Sequence, residues 1–246
     1  MIDQSFRRIR ELLKFTVSAG ASSPRPLVDS KLVNREIKRV IWPTLKMAGF
    51  TAFSSRTAWR YGAETIDVFD FQSFNRYNAD VLGITTFSFQ VNLGCHLSYL
   101  PPSWPLKERD GQPRPQECSC EFRGRLFPLI ELAASDHSHI WAIDSKGENI
   151  ETCISDVNQK IGNALDWFQQ FTDADRVLAI LLTFKENPGL WGFGNIPSPS
   201  RARLAGFAAL RVRNTDLARH QLAAAVESGC FSRQFRTVDE AIKLVQ

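Results

Sequence analysis

The sequence has little methionine, tyrosine or histidine, with 2, 3 and 4 of them among 246 residues, and its 5 cysteines are an odd number. An odd count argues against the disulfide framework that staples small secreted domains. No basic n-region followed by an apolar h-region opens the chain, and no uninterrupted apolar run approaches the roughly 18 residues that a membrane span needs. A reduced, cytoplasmic protein without a membrane partner is the expectation. A G-x-x-x-x-G-K-[ST] run is also missing, and the Gly192-x-Gly194 pair leads into prolines rather than a helix, so a nucleotide fold has little support.

Phenylalanine, in contrast, occurs 18 times and tryptophan 6 times, within a composition that is 43% hydrophobic and 23% charged. That payload predicts an ordered, densely packed globule. The net charge of +4 is mild but uneven: residues 1–46 carry 10 basic and 4 acidic side chains, a surplus of 6, which leaves the remainder at −2. A dedicated nucleic-acid surface shows a basic stripe on its folded body. Here the surplus is confined to the N-terminal region, so nucleic acid is at most a weak contact there. The opening "MIDQSFRRIRELLKF" places Phe6, Ile9 and Leu13 on one helical face, while Asp3 and Glu11 count against a targeting or membrane role.

Periodicity divides the chain into an N-terminal helix and linker over 1–28, an α+β body over 29–190 and a C-terminal helical hairpin with a final short helix over 191–246. Val33, Ile37, Val40, Ile41 and Leu45 recur at helical spacing, which predicts a helix from Ser30 to Ala48, ended by Gly49 and bent or divided by Pro43. The period then becomes two. "TAWRYGAETIDVFDFQSF" reads as two strands around Gly62. In "TFSFQVNLGCHL", Phe87, Phe89, Val91, Leu93 and Cys95 alternate with polar residues, and "HSHIWAI" supplies a further strand. Such clean alternation suits an antiparallel sheet of about four or more strands, one face covered by helices. The Pro-rich stretch 100–119 is a long loop suited to a lid or an interface. Helix returns from Asn158 to Phe171. In the tail, Ser200 is a candidate cap, and Leu204, Phe207, Ala208, Leu217, Leu222, Ala225 and Val226 are the expected contacts of an antiparallel helical pair. Thr237 and Glu240 form a capping box.

Several constellations are candidate sites. Cys118, Cys120, His137 and His139 would suit tetrahedral zinc if Cys-x-Cys and His-x-His each lay on one face of an extended segment. Structural zinc sites have wider spacing, which favours ordinary, separate roles, and no cofactor is expected. If Phe89, Val91 and Leu93 face the core, then Gln90, Asn92 and His96 face away, and Asp70 and Gln72 share a face of the preceding strand. That face could bind a polar ligand or a partner, and Asp70 beside His96 would support acid–base chemistry. Arg123 and Arg125 could hold an anion, or form a partly buried ion pair with an acidic residue.

The segments "IKRVIWPTLKMAGF", "VFDFQSF", "FSFQVNLGCHL", "CEFRGRL" and "WAI" follow one another in an order that resembles the bacterial family catalogued as domain of unknown function number 4304, over about residues 31–226. Gly49 and Phe50, Phe71 and Gln72, Asn92 to Gly94, and Cys120 with Arg123 and Arg125 carry the resemblance. The family often has His after that cysteine; Glu121 stands here. The resemblance implies an α+β architecture and brings no assigned reaction. The expectation is therefore a protein that acts through binding, with a protein partner at the polar sheet face or the 100–119 loop. An enzyme or anion-binding protein using Asp70, Gln72, Asn92, His96, Arg123 and Arg125 is the alternative, and convergence of those residues in a concave pocket would favour it.

Overall fold

The computed structural model describes residues 30–102 and 105–245. The helix and linker expected over 1–28, with part of the basic region, lie outside them. The described chain begins as helix α1 (Ser30–Glu36), widens into a π-turn at Ile37–Ile41 and resumes as α2 (Trp42–Met47). Pro43 accounts for the widening. Proline has no N–H and crowds the carbonyl four residues back, and the turn closes instead through Trp42 N–H to the Ile37 carbonyl, five residues back. The 30–48 helix therefore exists, and the proline divides it. Val33, Ile37, Ile41 and Leu45 form its buried stripe, and Gly49, at φ 90°, ends it.

The sheet comprises β1 (Ala52–Phe53), β2 (Thr57–Tyr61), β3 (Thr65–Ser73), β4 (Phe89–Leu97), β7 (Phe122–Arg125), β8 (Ala133–Ala134) and β9 (His137–Trp141). Helix α3 (Arg76–Leu82) joins β3 to β4, and a separate hairpin, β5 (Glu108–Arg109) with β6 (Gln112–Pro113), lies within the Pro-rich stretch. All pairings are antiparallel, in the order β1-β2-β3-β4-β9-β8, and β7 shares the β9 edge of β4. The β3–β4 ladder runs from Thr65 opposite Leu97 to Ser73 opposite Phe89. It puts Phe69, Phe71, Phe89, Val91 and Leu93 on one face. Their rings continue from one to the next, at centroid separations of 5.6 Å for Phe69–Phe71, 5.4 Å for Phe71–Phe89 and 5.6 Å for Phe89–Trp141.

Helices α4 (Ile150–Gln159) and α5 (Ile161–Gln169) cover this face together with α1 and α2. They replace the single helix expected from Asn158, because the chain breaks at Lys160 between two short amphipathic segments. A second core continues the same face: Cys95, Leu97 and Phe122 meet α6 (Ala174–Thr183), α7 (Pro199–Arg211), α8 (Thr215–Glu227) and α9 (Val238–Lys243). The helical hairpin is α7 with α8, and Gly206 permits its close crossing, since a Cβ there would lie 2.7 Å from Leu222 Cγ. Leu204, Phe207, Ala208, Leu222 and Ala225 are buried, with Leu217 and Val226 at the margin. Ser198, not Ser200, caps α7: Pro199 takes the first helical position, where its missing N–H costs nothing, and Ser198 Oγ accepts from Arg201 N–H at 3.2 Å. Thr237 Oγ1 accepts from Glu240 N–H at 3.1 Å, as the capping box predicts.

Arg201 is 3% exposed, yet among the described residues no carboxylate pairs with it. Its guanidinium donates to the carbonyls of Ile180 (3.0 Å), Leu181 (2.5 Å), Phe184 and Gly194 (2.8 Å) and lies 4.8 Å from the Phe193 ring centroid. Three of these carbonyls end α6, where donors run out and the helix dipole is negative. Arg201→Met, similar in reach and apolar, strands the carbonyls of Leu181, Phe184 and Gly194, while Ile180 keeps the Phe184 N–H; at about 1–3 kcal/mol for each unsatisfied group, the loss should reach about 3 kcal/mol in denaturant unfolding. Arg201→Lys should recover only part of it, because an ammonium cannot span the fork. An unfolding midpoint for Arg201→Met equal to the parent's contradicts this account.

Candidate functional site

The opposite sheet face gathers Thr57 and Trp59 of β2, Val68, Asp70 and Gln72 of β3, Gln90, Asn92, Gly94 and His96 of β4, and Arg123 and Arg125 of β7. The sequence suggests one covered and one solvated face. In the structure every residue of β4 is buried, Gln90, Asn92 and His96 included. The cover is the described part of the Pro-rich stretch, residues 105–119. Trp59 Nε1–H donates to the Pro115 carbonyl at 2.9 Å and Tyr61 O–H to the Pro113 carbonyl at 3.1 Å. A 3-10 turn, Glu117–Ser119, then presses on Gly94, where a Cβ would meet Cys120 Sγ at 2.8 Å and Glu117 Cα at 3.1 Å. Only a residue without a side chain allows that approach.

Between this cover and strands β2 and β3 lies a cleft of about 700 Å³. Thr57, Trp59, Asp70, Gln72 and Arg123 line it from the sheet, and Lys107, Arg109, Arg114, Gln116 and Glu117 from the cover. A polar ladder fixes its floor. Gln72 Oε1 accepts from Gln90 Nε2 at 2.6 Å and from Asn92 Nδ2 at 2.8 Å, and Asn92 Oδ1 accepts from Arg125 Nε at 3.1 Å. Two donors on one oxygen settle which way the Gln72 amide points, and its NH₂ is left for the cleft. Arg123 forks onto Glu117 at 2.7 and 3.2 Å. Both arginines lie over the Trp191 ring, at 5.5 Å for Arg123 and 5.0 Å for Arg125.

Asp70 accepts from Thr57 Oγ1 at 2.7 Å and, among the described residues, makes no ion pair. Burial, helped by the nearby charge of Glu117, holds its carboxyl above the usual range, against the opposing pull of Thr57 and Arg56. The acid–base pair with His96 does not form. Asp70 stands opposite Asn92, four positions from His96 and roughly 13 Å away along the strand. Parity placed both on one face, but register separates them. His96 Nδ1 instead lies 3.0 Å from Glu121 Oε2, an oxygen that also accepts from Leu97 N–H at 3.0 Å.

The four zinc candidates do not assemble. The Cys118–Cys120 segment is a 3-10 turn rather than extended chain, so Cys120 turns under the cover while Cys118 is exposed. His137 and His139 lie on β9, their rings 6.2 Å apart, and burial followed by the Arg125 charge lowers the His139 pKa. Among the described residues no group of three or more His, Cys, Asp or Glu side chains could hold a metal. The glycine pair of the 192–194 loop is also occupied, since Gly192 and Gly194 N–H both donate to Glu186 Oε1 at 2.7 Å. Thr57 and Trp59 escaped the sequence reading although strand parity points to them. Glu117 and Arg114 carried no signal, because they reach the site from irregular chain.

Gly94→Ala should push the 3-10 turn from the sheet, costing about 1–3 kcal/mol as overpacking does, with faster hydrogen exchange at the Trp59 indole N–H; parent-like exchange would show that the turn does not rest on Gly94. Asp70 offers a pH test. Its native pKa is raised, so the parent loses stability as pH climbs from the ordinary carboxylate value through the raised one. Asp70→Asn avoids that loss and should gain on the parent across this window, the two converging below about pH 3. Thermal melts showing a difference that is flat with pH, or that runs the other way, refute the assignment.

Residues 41–170 match the family described as "Domain of unknown function (DUF4304)". The matched stretch begins in the π-turn, ends just after α5 and contains every residue lining the cleft, while α7 and α8 lie beyond it. Nothing among curated proteins and nothing among solved structures matches the chain. The match spans more than half of the 246 residues and includes the Gly49-Phe50, Phe71-Gln72 and Asn92-Leu93-Gly94 segments, so the protein belongs to the DUF4304 family.

Proposed function

We propose that this protein works by binding a small polar molecule in the cleft between its sheet and the 105–119 cover. One observation carries the reading: the polar sheet face and the long loop, two separate candidate surfaces in the sequence, are opposite walls of one concavity of about 700 Å³. That volume lies in the range of about 300–1,000 Å³ typical of small-molecule sites. Binding is favoured over catalysis because a general acid or base must reach the substrate, and His96 is 3% exposed, held by Glu121 and not among the residues lining the cleft. Five free cysteines support a reducing, cytoplasmic setting, and among the described residues no helix is long and apolar enough to cross a membrane.

The test is a panel of cationic, anionic and neutral polar small molecules titrated into the isotope-labelled full chain. Shift changes should centre on Thr57, Asp70, Gln72 and residues 107–118. Gln116→Trp replaces an exposed lining residue and should weaken binding by about tenfold or more through occupied volume, the size of effect that a lost kcal/mol or two produces. Binding that maps elsewhere, or that ignores Gln116→Trp, rejects the cleft as the site.

A further inference from the structure

Three carboxylates line the cleft, and they are treated differently: Glu108 is exposed to solvent on β5. Glu117 is matched by the two-pronged Arg123. Asp70, two strands away from Arg123, receives only the Thr57 hydroxyl among the described residues. Arg56 does not complete it, because both Nη atoms of Arg56 are buried without a hydrogen-bond partner. A carboxylate in a concave, partly desolvated site with no cation hydrogen-bonded to it is an unfinished ion pair. Two positions along the same strand face, roughly 7 Å away, Gln72 presents its NH₂, its oxygen being held by Gln90 and Asn92. The floor thus offers an acceptor that needs a cation beside a donor that needs an acceptor. Stacking by a planar ligand ring is not the alternative, since Arg114 already lies 5.3 Å from the Trp59 ring centroid.

We propose that the ligand carries an organic cation, an ammonium or guanidinium group, that seats on Asp70, with a carbonyl or carboxylate oxygen on Gln72 Nε2. The inference rests on the small-molecule reading of the cleft and deepens it. The same chemistry belongs to a free amine or amino acid and to a lysine or arginine side chain of a peptide, and the bounded volume of this cleft favours the free molecule.

Arginine and citrulline test it directly, being nearly isosteric with one charged and the other neutral. In titrations of the labelled full chain followed at Thr57, Asp70 and the Gln72 side-chain NH₂, arginine, lysine or agmatine should bind at least about tenfold more tightly than citrulline, as a charge-assisted hydrogen bond implies. Asp70→Asn should bring arginine and citrulline to near parity while keeping a dispersed spectrum. An acetylated, amidated Gly-Arg-Gly peptide is the second arm: weaker binding than free arginine supports the free molecule, and tighter binding overturns that choice. Citrulline binding as tightly as arginine, or an undiminished preference in Asp70→Asn, overturns the cation assignment. Neutral or anionic probes entering the cleft when no cation does would remove this inference and leave the small-molecule reading standing, whereas no binding of any probe there would remove both.

Discussion

The central strand, β4, has no side facing solvent, and the rest of the molecule follows from that condition. A strand buried on one face can leave its polar side chains to water. Buried on both, it must find each of them a partner inside the protein. Gln90 and Asn92 find Gln72, Asn92 also finds Arg125, and His96 finds Glu121. Those partners come from β3, from β7 and from the chain just before β7, so satisfying one strand fixes the positions of its neighbours on both edges. The cleft is where this internal accounting stops short, at an amide and a carboxyl whose remaining valences open outward.

The two faces of the sheet hold by different means. On the helical face phenylalanine does the work: Phe50, Phe69, Phe71, Phe89, Phe122, Phe168, Phe171, Phe193 and Phe207 are almost completely buried, in contacts that are non-directional and tolerant of small shifts. On the cleft face the contacts are directional and depend on close approach at Gly94. Arginine serves both faces in unlike roles. Arg201 acts as a helix-end donor within an apolar core, whereas Arg123 neutralises a carboxylate at the rim of the cleft.

Much of the architecture was legible in the sequence because it is written in local periodicity. The Phe89-Val91-Leu93 alternation specified a half-apolar strand, the Val33-Ile37-Ile41-Leu45 spacing a helix, and Thr237 with Glu240 a cap. What periodicity does not encode is register and long-range approach. Parity put Asp70 and His96 on one face, but only the β3–β4 pairing shows Asn92 opposite Asp70. The Cys118–Cys120 spacing assumed extended chain, and a 3-10 turn removed the assumption. Glu117 could not be connected to Arg123, nor Glu121 to His96, without knowing that the Pro-rich stretch returns across the sheet. Gln72, Asn92, Arg123 and Arg125 were named as candidates from parity alone. Their hydrogen-bond order, which decides what each still offers a ligand, needed the fold.

The anchoring of the cover has a consequence for how the site is reached. Tyr61 and Trp59 hold it through the carbonyls of Pro113 and Pro115, residues that have no N–H of their own. Prolines at 113 and 115 remove the N–H donors from one side of the chain, so that side cannot pair with a sheet edge as an added strand. It stays tied down at two knots from one strand, β2, and none of the β3–β4 or β4–β7 ladder bonds passes through those knots. Loosening them would expose the polar floor and leave the sheet whole. The imino acids thereby keep the roof a separate part from the wall it covers.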